Sequence, residues 1–223
     1  MSRTRAALSF ACLLLVPDSL AARGHHHQRG DTSVRAAGFD YYVLSLSWSP
    51  QHCAEVSRPS DDSQCGRGRR YGFVVHGLWP QYEDGSYPER CSTTERLPRS
   101  VVADALEMMP SADLVRHEWW THGACSGMSA AAYFERVQQA FRRIHVPDRY
   151  DEPERAFRVT AQDVREAFVA VNRTLPDGAI AVRCAGHFLA EVRICLSSDL
   201  APRRCGPGVR DACRGEVTVR PLR

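Results

Sequence analysis

The chain has 223 residues, with 29 basic and 26 acidic side chains and a formal net charge of +3. That balance excludes a polycationic nucleic-acid coat, and past the first 21 residues no stretch is apolar for long enough to cross a membrane. The length suits one domain or two small ones.

Arg3 and Arg5 precede an apolar stretch from Ala6 to Val16, and Ser19-Leu20-Ala21 fits a small-x-small cleavage site. Residues 1–21 therefore read as a secretory signal peptide, too short to span a bilayer. Its removal takes away Arg3, Arg5 and Asp18, two positive charges and one negative, and leaves +2. Residues 22–37, with the triplet His25-His26-His27, are polar and aperiodic and read as a flexible leader; the folded domain is assigned to residues 38–223. Every basic side chain is Arg, Asn occurs once, at Asn172, and Ile three times. This loss of residues with AT-rich codons points to a GC-rich genome, most simply a bacterial one, so export would lead to the periplasm or the medium.

Residues 39–48 carry alternating apolar residues and predict a central strand, with Val43, Ser45 and Ser47 on one side and Leu44, Leu46 and Trp48 on the other. Residues 57–70, rich in Ser, Asp, Gly and Arg, predict a loop. Residues 71–75 form an apolar, β-branched and aromatic run bounded by Gly and Pro, a buried strand that ends at His76. Residues 80–98 hold three prolines among Tyr82 and Tyr87, and predict a loop whose aromatic rings, with Trp79, offer stacking faces. A short helix is expected over residues 101–109.

Ser111 is an N-cap candidate and Gly123 a C′ candidate, which predicts a helix over residues 112–122. On it Glu118 and His122 stand four apart and share a face, an arrangement that orients an imidazole and raises its pKa. His117 and His122 are five apart, roughly 140° around the axis, a poor shared geometry for zinc, whose helices use ligands at i and i+4. Further helices are expected from Ser129 to Ile144 and from a capping box at Thr160 and Asp163 to Val171. Residues 179–184 and 187–196 read as a hairpin turning at Ala185-Gly186, and residues 217–219 as a final edge strand. Helices in mid-chain with strands at both ends predict a single α+β domain, an antiparallel central sheet with helices packed on it.

Nine cysteines are present, one of them, Cys12, in the signal segment. The remaining eight, an even count in an exported chain, argue for four disulfides, with every pairing left open. No Cys-x-x-Cys occurs, which disfavours a structural zinc site.

The segments His76-Gly77-Leu78-Trp79-Pro80 and His117-Glu118-Trp119-Trp120-Thr121-His122-Gly123-Ala124-Cys125 resemble, in this order and spacing, the two active-site segments of the ribonuclease T2 family of secreted acid endoribonucleases. The resemblance runs from about residue 39 to residue 213. It implies the pairs Cys53–Cys65, Cys91–Cys125, Cys184–Cys213 and Cys195–Cys205. It also implies metal-independent cleavage of single-stranded RNA to 2′,3′-cyclic phosphate ends, with low base specificity, no cofactor, no resident metal and no cleavage of DNA. His76 and His122 would be the acid–base pair, His122 as base and His76 as acid. Glu118 would polarise the site, His117 would bind phosphate, and Trp79 with Tyr87 would stack on bases. The chain is expected to act as a monomer, off the membrane once the signal is removed.

This sequence departs from the family at Thr121, where the family has a Lys that stabilises the phosphorane. An Arg from another segment would have to stand in; otherwise the chain is a weakened or inactive RNA-binding relative. A zinc hydrolase built on His117 and His122 is a third reading, which the spacing opposes.

Overall fold

The computed structural model describes residues 38–56 and 62–222, all within one compact unit; the expected signal and leader segments lie outside them. The centre is β1 (Tyr41–Trp48), buried along nearly its whole length. Tyr42, Leu44, Leu46 and Trp48 enter the main core, whereas Tyr41 and Val43 join a smaller cluster with Ala181, Cys195 and Val209 on the opposite face. The period-two pattern thus separates two buried faces, as a strand inside a sheet requires.

On one side β1 pairs antiparallel with β2 (Phe73–Gln81), and on the other with β5 (Phe188–Ser197). β2 does not end at His76, as its apolar run predicts; it continues for five more residues. The ladder matches Leu46 to Val75 and Ser45 to Gly77, so His76 is the extra residue of a β-bulge. The bulge resolves a conflict of period: Val75 and Leu78, three apart, both face the main core, which an unbroken strand forbids.

β4 (Ile180–Ala185) forms a hairpin with β5, turning at Gly186-His187, one residue later than expected. Gly186 has φ +57°, the left-handed conformation such a turn needs. β6 (Glu216–Val219) is not an edge strand. It lies between β5 and β3 (Phe157–Thr160), a strand of four residues that the sequence reading missed. The β5–β6 contact is parallel, through Phe188 and Thr218, so the sheet is mixed rather than wholly antiparallel. The class is α+β in a single domain.

Helix α1 (Ser49–Glu55) precedes the segment expected to be a loop, residues 57–70, and a short helix, α2 (Asp62–Cys65), lies within it; Cys53–Cys65 joins the two. α3 (Arg99–Ala105) stops short of the predicted end, and Val75 donates its backbone N–H to Met108 O at 2.9 Å. α4 (Ala112–Thr121) starts as expected, with Ser111 Oγ accepting from Leu114 N. α5 (Ala130–Arg142) is capped by Ser129, and its Tyr133 hydroxyl donates to Leu78 O at 3.0 Å, which fastens it to β2. α6 (Ala161–Val171) opens with both arms of the capping box between Thr160 and Asp163. The four disulfides pair Cys53–Cys65, Cys91–Cys125, Cys184–Cys213 and Cys195–Cys205, the pairs implied above.

Candidate active site

The bulge in β2 turns His76 out of the ladder, towards the face of the sheet opposite the main core, where its side chain is 32% exposed. Two carboxylates meet its ring. Nδ1 donates to Glu191 Oε1 at 2.6 Å, and Nε2 lies 3.8 Å from Glu118 Oε1. Burial pulls the imidazole pKa down, but the hydrogen bond to Glu191 and the charges of Glu191 and Glu118 outweigh it, and the pKa rises.

Glu118 is 1% exposed. One oxygen accepts from Trp79 Nε1 at 2.8 Å; the other has no hydrogen-bond partner and faces His76. Burial raises its pKa to about 7, against the lowering effect of His76 and the indole N–H. The carboxylate reaches this position only because residue 77 is glycine, where a Cβ would collide with Glu118 Oε2. The Gly in His-Gly-Leu-Trp-Pro is thus a matter of room for the partner helix.

α4 ends one residue before His122, which is its C-cap with φ −125° and ψ −44°. A short 3-10 turn, Gly123–Ser126, follows, and the left-handed position is Gly127 rather than the expected Gly123. At Gly123 the constraint is space: a Cβ would meet the rings of Trp119 and Tyr133 at 2.7–2.8 Å. The His122 ring lies against Trp79, centroids 5.4 Å apart, and near Tyr87 at 6.5 Å. Its Nδ1 is buried without a partner. Burial first, then the charges of His117 and His76, lower its pKa to about 4.

A cavity of about 340 Å³ opens beside these rings, lined by His117, Thr121 and His122 from the end of α4, by Trp79, and by Tyr87 and Arg193. His117 stands on its wall without touching His76. Tyr87 is 52% exposed. His76 meets Trp79 edge-on, ring centroids 5.1 Å apart, so both imidazoles lie against one indole. The loop carrying Tyr87 is fastened to the 3-10 turn after α4 by Cys91–Cys125 and to the end of α4 by Arg90 N donating to Thr121 O at 2.7 Å.

Sequence reasoning missed two residues, Glu191 and Arg193. Both stand on β5, opposite Ser47 and Ser45 of β1. Arg193 donates to Glu191 Oε2 from Nε (3.0 Å) and Nη2 (2.9 Å), and its guanidinium lies 4.9 Å over the Trp79 ring. Although burial opposes ionisation, His76 and Arg193 hold the Glu191 carboxyl at about 2. The available signal was two charges on one face of a strand whose other face, Val192 and Ile194, is core.

Among the described residues no group of three or more His, Cys, Asp or Glu is placed to hold a metal ion, so His117 and His122 lack the further ligands a zinc site needs. The arrangement can instead handle protons. Carboxylates favour the charged form of one imidazole and burial favours the neutral form of the other, beside a cavity large enough for a ligand.

The sequence profile of the Ribonuclease T2 family matches residues 39–205. A protein named "Ribonuclease" from Aeromonas hydrophila is 38% identical over 174 residues, 75% of this chain and 78% of that one. Among solved structures, an RNase-related protein from Calystegia sepium superposes with a TM-score of 0.67 at 23% identity, covering 82% of this chain and 98% of that one. A mutant of RNase MC1 in complex with 5′-UMP gives 0.64 at 21% identity, covering 80% and 97%. At these identities the solved structures speak for the fold alone.

Proposed function

The chain belongs to the ribonuclease T2 family and is an endoribonuclease of that type; on that premise we propose that it cleaves single-stranded RNA by transphosphorylation, without a metal ion and with little regard for base identity. The observation that carries this reading is the placement of two imidazoles against one indole, His76 and His122 with ring centroids 5.1 and 5.4 Å from Trp79.

His122, neutral near pH 7, accepts the proton of the ribose 2′-OH. The 2′ oxygen forms its bond to phosphorus as the bond from phosphorus to the 5′ oxygen breaks. His76, protonated, gives its Nε2 proton to that leaving oxygen. The product ends in a 2′,3′-cyclic phosphate, which water then opens to a 3′-phosphate. DNA lacks the nucleophile. Glu118, beside both His76 and Trp79, steadies the charge of the imidazolium, and His117 meets the phosphate at the cavity wall.

Thr121 brings no cation to the pentacoordinate phosphorane. Arg193, on the same cavity wall, does so in its place: its Nε and Nη2 are held by Glu191, while Nη1 is not engaged there. Trp79 and Tyr87 give stacking faces that accept any base. The reading includes export through residues 1–21 and action as a monomer. Among the described residues no helix is long and apolar enough to cross a membrane.

The test is digestion of RNA in EDTA, with the product ends analysed by mass spectrometry. Cyclic phosphate termini are expected. Intact RNA across a wide pH range, with folded protein, overturns the reading; RNA bound but never cut favours instead an inactive binding relative, for which Thr121 is the motivating residue.

A further inference from the structure

His76 has a second-strand partner that the two recognised segments do not contain. β1 lies between β2 and β5, and Ser47 of β1 sits opposite both Val74 and Glu191. The bulge then carries His76 across to the side chain that β5 delivers. Glu191 is itself fixed, because Arg193 bonds its second oxygen twice and is held in turn over the Trp79 ring. The chain of contacts therefore runs from Trp79 through Arg193 and Glu191 to His76 Nδ1, and each link is a hydrogen bond or a stacked ring.

We propose that Glu191 is a positioning residue: clamped by Arg193, it fixes the His76 ring through Nδ1 so that Nε2 carries the transferable proton, and it keeps that imidazole protonated at the pH of the reaction. The proposal rests on His76 acting as the general acid. A carboxylate on the far nitrogen of an imidazole sets both its tautomer and its basicity. The charged and titratable groups facing His76 are Glu191 and Arg193 from β5, Glu118 from α4, His52 from α1 and His122 after α4. Glu118 also favours the imidazolium, but from 3.8 Å and without a hydrogen bond. Arg193 and the two histidines oppose it. Glu191 is the group in direct bonded contact.

Two measurements on the whole protein decide the matter. The first is NMR titration of the histidine ring nitrogens without substrate. In the native protein His76 is expected to titrate above the ordinary histidine range and, once neutral, to keep its proton on Nδ1. Glu191→Gln retains an acceptor and removes the charge, and should lower the His76 midpoint by about one pH unit or more, with Glu191→Asp in between. A native His76 that titrates low, or is neutral with its proton on Nε2, overturns the proposal before any variant is made.

The second is the pH profile of kcat/KM on a dinucleotide. Its alkaline limb, which reports the acid, should move down by the same interval in Glu191→Gln, so that activity falls about tenfold above the native midpoint and little at pH 5. A uniform loss at every pH, with the limb unmoved, identifies a merely structural role and overturns the proposal. If the native protein cuts no RNA, the endoribonuclease reading fails, while the NMR titration still decides whether Glu191 governs His76.

Discussion

His76 and His122 touch the same indole ring from two elements of different kinds, and their surroundings push them in opposite directions. His76 belongs to a strand, and strand pairing brings partners from far along the sequence to fixed positions; Glu191 is 115 residues away yet lies 2.6 Å from Nδ1. His122 caps a helix, and its ring has apolar bulk around it rather than a bonded charge: His117 on the same helix, the Trp79 and Tyr87 rings, and a buried, unpartnered Nδ1. A helix C-terminus ordinarily favours a charged histidine, by about 0.3–1 kcal/mol, or less than one pH unit. That attraction is too small to offset a shift from 6.5 to about 4. The difference teaches that two side chains of one residue type can be tuned apart, by specific pairing on one side and plain desolvation on the other.

The contrast is tested most severely by deleting either ring. His76→Ala and His122→Ala should each lower kcat about 100- to 10,000-fold on RNA in EDTA. A variant with near-native turnover breaks the division of labour. Arg193→Ala should cost about 100-fold or more in kcat, because it removes both a cation from the cavity and the clamp on Glu191. Adding Thr121→Lys to that variant is expected to restore part of the loss; no recovery would place the cation elsewhere.

Glu118 sharpens the comparison through stability. Its carboxyl holds a proton up to about 7 when folded against an ordinary 4.5. The native state therefore binds more protons than the unfolded state in that window, and this group's contribution to stability declines as pH rises through it. Glu118→Gln should flatten the decline, by at most about 3 kcal/mol between pH 4 and 8 in urea titrations, while lowering activity. Tyr87→Ala should leave kcat nearly intact and raise KM for a dinucleotide about tenfold, the worth of one stacked base. The smallest effect is expected far from the cavity: Thr160→Ala removes one arm of the α6 capping box, costs about 1 kcal/mol and leaves the pH profile unmoved.

The same contrast explains what could be read from the sequence. Local signals carried α4, with its Ser111 cap, and the Thr160–Asp163 box, because helix ends are written within four residues. His76, Glu118 and His122 were legible as a set because each sits in one of two short segments. The bulge was not, since it shows itself only when Leu46 is matched to Val75 and Ser45 to Gly77. Glu191 and Arg193 were passed over for a related reason. A charge on a strand reads as a solvent-facing residue until the register of β1 against β5 places it beside a ring. β3 escaped because four residues, Phe157–Thr160, are too few to establish a period, and their pairing with β6 spans more than fifty positions.

The bond between Cys91 and Cys125 has a consequence for when the protein becomes competent. It anchors the loop that bears Tyr87, Glu89 and Arg90 to the turn after the helix bearing His117, and so forms one wall of the cavity. In a reducing cytosol the same wall would lose its covalent anchor and keep the Arg90–Thr121 hydrogen bond. That covalent anchor forms only where thiols can oxidise, so the wall's rigidity is tied to the redox state of its surroundings.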